Sequence, residues 1–390
     1  MTKRFLRAAT LGRVLVPGAL LVLAVPQLAY ANPATVTVTS PGPTMGPTTP
    51  FTGVSSHADC ASGLVSGGGV TQTTGDVRSG NGNHVMGIAP SADGVTEFTG
   101  APGVVGEDVT HWLAFGGSGS NSSTAFSTTP YAICLSSHRI RHTQVVMNET
   151  AGPSVGQTEK LVVATCPAGT LLIGGGARTT PASVGSLKPI ASFPTFNDAA
   201  HDFGKKAAAD GETNPDSWTA VGGIGGGRDS GNTTYAYAIC TGDHVNVEGI
   251  TTEVHFAEVS GPTTASTHLT ATAGCDSSVG DSSYGNGPSG NGRSGNAGSG
   301  NGRDPWQLVS GGAAASGGNV TTTDFTKAGS GGTHLIGSFP SDSAGTPVAD
   351  GTTAPASWSA TVHAGGSPSP NTYTDVWALC LNTRGGGGQQ

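Results

Sequence analysis

The stretch LLIGGGA at residues 171–177 is the clue to the architecture of this chain, because it recurs as LVSGGGV at 64–70 and as LVSGGAA at 308–314. A second motif follows each copy and reads HVMGIAP (84–90), KPIASFP (188–194) and HLIGSFP (334–340). A third motif closes each copy as YAIC (131–134), YAIC (237–240) and WALC (377–380). Self-similarity at a fixed period is typical of repeat architectures. The sequence therefore predicts three copies of one unit of about 100 residues.

The cysteines and tryptophans keep the same register as these motifs. Cys60 and Cys134 are 74 residues apart, as are Cys166 and Cys240, whereas Cys275 and Cys380 are 105 apart. One tryptophan lies 22 residues before the second cysteine of each pair: Trp112, Trp218 and Trp358. An even number of cysteines in an exported chain indicates disulfides, and no close Cys-x-x-Cys pair suggests a metal site. We expect the bridges Cys60–Cys134, Cys166–Cys240 and Cys275–Cys380.

The local pattern within each copy is that of β-strands. Short runs rich in Val, Thr, Ile and aromatic residues are bounded by Gly, Pro, Asn and Ser. Six strands are predicted in the second copy, near 142–148, 159–166, 170–178, 187–194, 217–224 and 233–240. No segment after residue 31 has helical periodicity over ten residues, and the nearest approach is a turn near 201–210. The predicted class is all-β, with three tandem repeats that are sandwich-like or β-prism-like.

The N-terminus has the features of a signal peptide at residues 1–31. Its first 13 positions contain four basic side chains: Lys3, Arg4, Arg7 and Arg13. An apolar stretch (14–25) and the sequence Ala29-Tyr30-Ala31 follow, as in a secretory signal with its cleavage site. A membrane-spanning helix needs about 20 apolar residues, so we expect no membrane span. The mature protein is predicted to be secreted.

The rest of the chain divides at the repeat boundaries. We expect β repeats at 33–140, 141–248 and 249–384, with a Gly/Asn/Ser-rich flexible insertion at 276–305 in the third and a disordered tail at 385–390. The repeats are either three separate domains or three sheets of one pseudo-threefold body. Nothing in the sequence decides between these two arrangements.

Composition excludes several functional classes. Charged residues make up 11% of the chain, against about 25% in typical globular proteins, which argues against helical bundles and coiled coils. There are 17 Lys and Arg residues, with no basic run beyond the first 13 positions, so nucleic acid is not an expected partner. The 64 glycines follow no strict Gly-X-Y period, which excludes a collagen triple helix.

The pattern Cys-Pro-Ala-Gly-x-x-x-x-Gly-Gly-Gly, then Ser-x-Pro, Trp and Tyr-Ala-x-Cys, resembles a repeat found in uncharacterised exported proteins of actinobacteria. It is clearest from Cys166 to Cys240 and covers nearly all of the mature chain three times. The third copy departs from it by its insertion and by Ala313 in place of the third glycine. The resemblance implies secretion and β structure, and it implies no biochemical activity.

Three serines stand in patterns that occur in hydrolases. Gly152-Pro153-Ser154-Val155-Gly156 matches the Gly-x-Ser-x-Gly nucleophile motif, which requires a sharp strand-to-helix turn, and no helical segment follows. Ser230 lies in Arg-Asp-Ser-Gly and Ser282 in Gly-Asp-Ser, without an identifiable His and Asp set. We therefore predict a protein that is not an enzyme. The alternative is a secreted hydrolase with a loop-borne serine nucleophile.

The histidines do not predict a metal centre or any other cofactor site. The eleven are scattered, and the closest pair, His138 and His142, lies on the linker between the first two copies. His84 and His334 occupy equivalent positions before the fourth strand, which suggests a structural role. Calcium-binding glycine repeats need regularly spaced aspartates, and the 276–305 insertion has them only at its ends.

The recurring tryptophans are the candidate ligand site. Trp112, Trp218 and Trp358 either fill the cores of their repeats or present platforms on which sugars stack, and three such sites would add avidity. The expected function is that of a secreted, non-enzymatic binding or surface-associated structural protein. Glycan or another component of the cell envelope is the expected ligand class, and an inert scaffold would have the same sequence features.

Overall fold

The computed structural model describes residues 34–73, 82–120, 125–180, 187–225, 231–275, 306–328 and 332–383. The predicted signal peptide (1–31), the predicted insertion (276–305) and the predicted tail (385–390) lie outside the described residues. Asn32–Gln390 forms one compact unit. Its described residues contain β-strands and no α-helix, and the strands form three antiparallel sheets. The all-β class is confirmed.

Each repeat contributes six principal strands, and the first repeat adds two short ones, Thr44–Met45 and Gly103–Glu107, which are left out when its strands are counted. The first repeat contains β1 (Thr35–Thr39), β2 (Thr44–Met45), β3 (Gly53–Asp59), β4 (Leu64–Gln72), β5 (Asn83–Ser91), β6 (Gly103–Glu107), β7 (His111–Ser118) and β8 (Ser127–Ser136). The second contains β9 (Thr143–Ala151), β10 (Glu159–Thr165), β11 (Leu172–Thr180), β12 (Leu187–Thr195), β13 (Ser217–Ile224) and β14 (Thr233–Thr241). The third contains β15 (Thr251–Ser260), β16 (Thr267–Gly274), β17 (Gln307–Ser316), β18 (Thr333–Ser341), β19 (Ser357–Ala364) and β20 (Tyr373–Asn382). The six strands predicted in the second repeat are all present, within three residues at each end.

Every sheet is shared by two repeats. The strand orders are β1-β8-β4-β18-β19-β16, β3-β7-β5-β11-β14-β9-β6 and β10-β13-β12-β17-β20-β15. The third strand of each repeat pairs with the fourth strand of another: β4 with β18, β11 with β5, and β17 with β12. These three pairings close the repeats into a ring around a pseudo-threefold axis. The chain therefore forms one body rather than three separate domains.

Within one repeat, the two half-sheets pack against each other like a small sandwich, and a disulfide joins them. The bridges are Cys60–Cys134, Cys166–Cys240 and Cys275–Cys380, as predicted. All six cysteines lie near one end of the strands, which we call the disulfide end. At the opposite end, called the loop end, the third strand stops and the fourth begins; in the first repeat these positions are Gln72 and Asn83.

Burial separates inner strands from outer ones. The third to sixth strands of each repeat are buried along almost their whole length, as in β5, β13 and β18. The second strands, β3, β10 and β16, alternate between buried and more exposed residues, because one of their faces meets solvent. β19 alternates between polar and apolar residues in sequence, yet all eight of its residues are buried.

The glycine triplet allows two kinds of close approach. A Cβ on the middle glycine, Gly175, would lie 2.3 Å from the indole of Trp218, and Gly68 and Gly311 meet Trp112 and Trp358 in the same way. A Cβ on the third glycine, Gly176, would lie 2.7 Å from the carbonyl oxygen of Ile88 in the neighbouring repeat. The second glycine thus makes room for the core tryptophan, and the third makes room for the inter-repeat strand pair.

The third strand of each repeat pairs with the sixth strand, which carries the second cysteine, and this pairing corrects the sequence alignment of the third repeat with the other two. Val65, Leu172 and Leu308 lie opposite the second cysteine of their repeats, and each precedes a bulge. Ala313 is therefore equivalent to Val70 and Ala177, which lie just after the triplet. In the third repeat the first glycine of the triplet is replaced by Ser310, the equivalent of Gly67 and Gly174. Cβ atoms on Gly67 and Gly174 would lie 2.3 Å and 2.7 Å from Ser310 Oγ, because all three positions meet near the axis.

Candidate functional site

The three repeated tryptophans are core residues. Trp112, Trp218 and Trp358 each have 0% of their surface exposed. Each indole is covered by the glycine strand of its own repeat. Because no ring face reaches solvent, a sugar has nothing to stack on, and the ligand-platform interpretation is corrected in favour of the core interpretation.

The motif serines do not form a described catalytic arrangement. Ser154 is exposed in the connection between β9 and β10, so the Gly-x-Ser-x-Gly motif joins two strands rather than a strand and a helix. Ser230 and Ser282 lie outside the described residues. The strand-to-helix geometry that exposes a hydrolase nucleophile is therefore not present at Ser154.

One buried carboxyl group stands out on β20. Asp375 is 0% exposed and lies opposite Glu258 of β15 in the strand register. Burial raises the pKa of Asp375 well above its ordinary range, and the neighbouring Glu258 raises it further. Two neighbouring carboxyl groups are a common acid–base pair in enzymes, but a substrate cannot reach a carboxyl with no exposed surface.

Three equivalent side chains, one from each repeat, form a cluster on the axis near the loop end. They are His84, Lys188 and His334, each at the second position of the fourth strand of its repeat. All three are buried, with at most 6% of the residue exposed. The rings of His84 and His334 are 6.0 Å apart between centroids, and that of His363 on β19 is 5.1 Å from His334. We call His84, Lys188 and His334 the axial cluster.

The tautomer of both axial histidines follows from their hydrogen bonds. His84 Nδ1 is 2.8 Å from the carbonyl oxygen of Gly82, and His334 Nδ1 is 2.9 Å from that of Gly332. A carbonyl oxygen only accepts, so each Nδ1 carries the proton and donates it. In the neutral ring, Nε2 is then an acceptor. Both Nε2 atoms are buried; His334 Nε2 has no hydrogen-bond partner, whereas the backbone of Leu187 lies beside His84 and raises its pKa slightly against the effect of burial.

Burial and the neighbouring Lys188 ammonium keep the two axial histidines uncharged near neutral pH. Burial lowers the pKa of His84 to about 3, and the Lys188 ammonium lowers it further. Burial also lowers the pKa of His334 well below its ordinary value, with Lys188 and His363 acting in the same direction. The pKa of His363 falls to about 4 through burial and through His268 and Lys188. Burial lowers the pKa of Lys188 itself to about 8.

The sequence pattern predicts His84 and His334 just before the fourth strand, whereas the structure places each inside it, at its second residue. Lys188 was not singled out, although it occupies the same column of the repeat alignment. The repeat alignment was the signal that could have found it. That these three residues meet in space follows only from the ring closure of the repeats.

Most other histidines lie at the surface beside carboxylates. His111 Nδ1 is 2.6 Å from Asp59 Oδ1, and His142 Nδ1 is 2.8 Å from Asp108 Oδ2. His201 contacts Asp198 and Glu212 with its two ring nitrogens. Within the described ranges, no group of three or more His, Cys, Asp or Glu side chains is arranged to hold a metal ion.

A cleft of about 640 Å³ opens at the disulfide end of the first repeat. Its walls come from β1, the start of β4, the end of β8 and the following linker. The side chains combine hydroxyl, imidazole and guanidinium groups with aliphatic surface. The lining residues are Thr35, Gly63, Leu64, Leu135, Ser136, Ser137, His138, Ile140 and Arg141. Its volume is in the range of pockets for small organic ligands, which is about 300–1,000 Å³.

Two Ser137 contacts hold the linker side of this cleft in place. The backbone N–H groups of Arg139 and Ile140 donate to Ser137 Oγ at 3.1 Å and 3.2 Å. Arg141 Nε donates to the carbonyl oxygen of His138 at 3.0 Å. The linker is therefore a defined wall, and the exposed part of Arg141 remains beside the cleft.

Comparison with family models and with curated proteins finds no match to this chain. Among the described residues there is no helix of the length and apolarity needed to cross a membrane.

Proposed function

We propose that this chain acts outside the cell as a non-enzymatic binding or surface-associated structural protein, with glycan or another cell-envelope component as its ligand. The observation that carries the proposal is the ring closure of three disulfide-bridged repeats into one body with an open cleft at one end. The signal-like N-terminus supports export, as do the three bridges, since disulfides persist in oxidising compartments.

The body of the protein suits a stable scaffold. Each repeat is tied to the next by a strand pair, and each pair of half-sheets is tied by a disulfide. At the disulfide end, the Arg139 guanidinium donates to the carbonyl oxygens of Glu248 and Thr383, which joins the linkers of different repeats. Such cross-ties resist local opening, an advantage for a protein exposed to extracellular proteases.

The cleft is the proposed ligand-binding surface. Sugars combine hydroxyl groups with apolar C–H faces, and the cleft offers partners for both: Ser136, His138 and Arg141 for hydroxyls, and the partly exposed Leu64 for a C–H face. It lies in the first repeat and involves the linker to the second. Binding therefore rests on this single surface rather than on three equivalent tryptophan sites.

A pull-down on insoluble chitin, cellulose and purified cell wall tests the proposal. We expect retention of the wild type on at least one polysaccharide and loss in Ser136→Trp, which fills the cleft, and in Arg141→Ala. Lys160→Ala, an exposed change at the loop end, is the control and should bind like the wild type. No retention of the wild type on any polysaccharide would exclude the glycan ligand and leave the scaffold role.

The hydrolase alternative is tested separately with serine-reactive activity probes. We expect no labelling of the purified protein that depends on Ser154 or Ser230. Labelling of the wild type that disappears in Ser154→Ala or Ser230→Ala would show a nucleophile and overturn the non-enzymatic proposal.

A further inference from the structure

The cleft at the disulfide end differs in charge from the loops around it. Those loops are rich in carboxylates, and most of the histidines at this end are paired with them. His57 and His111 contact Asp59, His142 contacts Asp108, and His244 contacts Asp243. The nine residues that line the cleft include Arg141 and His138 but no Asp or Glu. Arg141 therefore gives the cleft a positive charge that no lining carboxylate offsets.

The Arg141 guanidinium keeps most of its hydrogen-bond donors for a ligand. Its Nε–H donates to the carbonyl oxygen of His138 at 3.0 Å, which holds the side chain beside the cleft. A guanidinium has five N–H groups, so four remain on its two terminal nitrogens. Across the described ranges, these nitrogens form neither a hydrogen bond nor an ion pair. Their paired N–H groups match two oxygens of a carboxylate or a phosphate.

Other polar groups stand exposed beside this guanidinium. Ser136 and His138 are exposed lining residues, and within the described part of the chain the His138 ring forms no ion pair with a carboxylate. Ser137 is occupied instead, because its Oγ accepts the backbone N–H groups of Arg139 and Ile140. The hydroxyl of Ser136 and the ring of His138 therefore remain to hydrogen-bond a ligand.

The repeat fold does not require a positive charge at this position. Residues 137–142 read Ser-His-Arg-Ile-Arg-His, whereas the linker after the second repeat, 242–250, reads Gly-Asp-His-Val-Asn-Val-Glu-Gly-Ile and contains no Lys or Arg. Arg139 has a structural contact, since its guanidinium donates to the carbonyl oxygens of Glu248 and Thr383. Arg141 makes no contact of that kind with another repeat among the described residues.

We propose that the cleft selects glycans that carry an oxyanion, either a carboxylate or a phosphate, and that the terminal nitrogens of Arg141 bind this group. The inference rests on the proposed glycan-binding function and names the class of sugar. Ser136 and His138 hydrogen-bond the hydroxyls of the same sugar, and Leu64 contacts its C–H face. The formal net charge of the chain is −8, so the protein as a whole does not attract anions. The selectivity therefore belongs to the cleft.

Titration calorimetry with two matched pairs of sugars tests this proposal. The carboxylate pair is trigalacturonate and its methyl ester, and the phosphate pair is cellobiose 6′-phosphate and cellobiose. The members of a pair share their sugar rings and differ in charge. We expect the wild type to bind the anionic member of at least one pair about tenfold more tightly, because hydrogen bonds to a charged acceptor are stronger. The pair that shows this preference identifies the oxyanion.

Three variants locate the preference. Arg141→Gln removes the charge and keeps an amide donor, so it should bind both members of that pair alike. Ser136→Trp fills the cleft and should bind neither member. Lys160→Gln removes an exposed positive charge at the loop end and, as the matched control, should keep the preference. Circular dichroism and the unfolding midpoint of each variant verify that it is folded.

Equal binding of the charged and uncharged members in both pairs would overturn the inference, as would no binding of either pair. A preference that Arg141→Gln or Ser136→Trp retains would also overturn it. These failures differ from failure of the proposed function. Retention on cellulose or chitin without a preference within the pairs would leave the proposed function in place, whereas no retention on any polysaccharide and no binding of either pair would remove both.

Discussion

Trp218 donates its indole N–H to Ser192 Oγ at 2.9 Å, and the equivalent bond joins Trp358 to Ser338 at 3.0 Å. In the first repeat the position of the serine is occupied by Ile88, and Trp112 Nε1 is buried without a partner. The indole N–H of the core tryptophan thus has a hydrogen-bond acceptor in the second and third repeats and none in the first. This difference provides an internal comparison for the contribution of the indole hydrogen bond.

We expect Ser192→Ala to lower the free energy of unfolding by about 1–3 kcal/mol, because it leaves the Trp218 N–H buried without an acceptor. Ser338→Ala should have a similar effect through Trp358. Both can be measured by urea denaturation. A change below about 0.5 kcal/mol in both variants would show that the indole hydrogen bond contributes little.

The middle glycine of the triplet should tolerate no side chain. Gly175→Ala places a methyl group 2.3 Å from the Trp218 ring, so we expect a loss of about 1–3 kcal/mol or more in the free energy of unfolding. A Cβ on Gly366 would meet nothing within 4 Å, and Gly366→Ala is the matched control, with an expected change within about 0.5 kcal/mol. Equal stabilities of the two variants would contradict the packing of Trp218 on Gly175.

Removal of one disulfide should weaken the whole body. The Cys166–Cys240 bridge closes a loop of 74 residues, so replacing both cysteines with alanine should cost about 4 kcal/mol in the loop-entropy model. Because every sheet is shared by two repeats, we expect the single unfolding transition to move to lower temperature as a unit. A separate early transition that involves only the second repeat would show that the repeats fold independently.

Stability should depend on pH through the buried histidines. The pKa values of His84, His334 and His363 are lowered in the folded protein, to about 3 for His84 and about 4 for His363. Below about pH 6.5 the unfolded chain therefore binds protons that the folded chain does not, and stability falls. Each such histidine adds a slope of up to about 1.4 kcal/mol per pH unit.

Asp375 acts in the opposite direction, because its raised pKa means that the folded chain holds a proton that the unfolded chain releases above about pH 4. We expect a net loss of stability from pH 7 to pH 5, measured by urea denaturation at each pH. His84→Gln should reduce that loss, and Asp375→Asn should increase it. The same pH dependence in the wild type and His84→Gln would contradict a buried neutral His84.

Much of this protein follows from local patterns in its sequence. The repeat number, the strands of the second repeat and the three disulfides are predicted correctly, because strand periodicity and cysteine spacing are local or repeated properties. The repeated motifs also put His84, Lys188 and His334 in one column. The alignment did not predict that these three side chains would lie next to one another.

The tertiary structure alone decided how the repeats combine and what the repeated residues do. Strand pairs such as Val70 with Ser338 join residues far apart in the chain through backbone hydrogen bonds, which leave no mark on side-chain identity. Trp218 is a core residue rather than a platform because Gly175 leaves room for its ring. The axial cluster exists because three strand pairings close the ring and bring one position of each repeat to the same axis, where burial rather than residue type sets the chemistry.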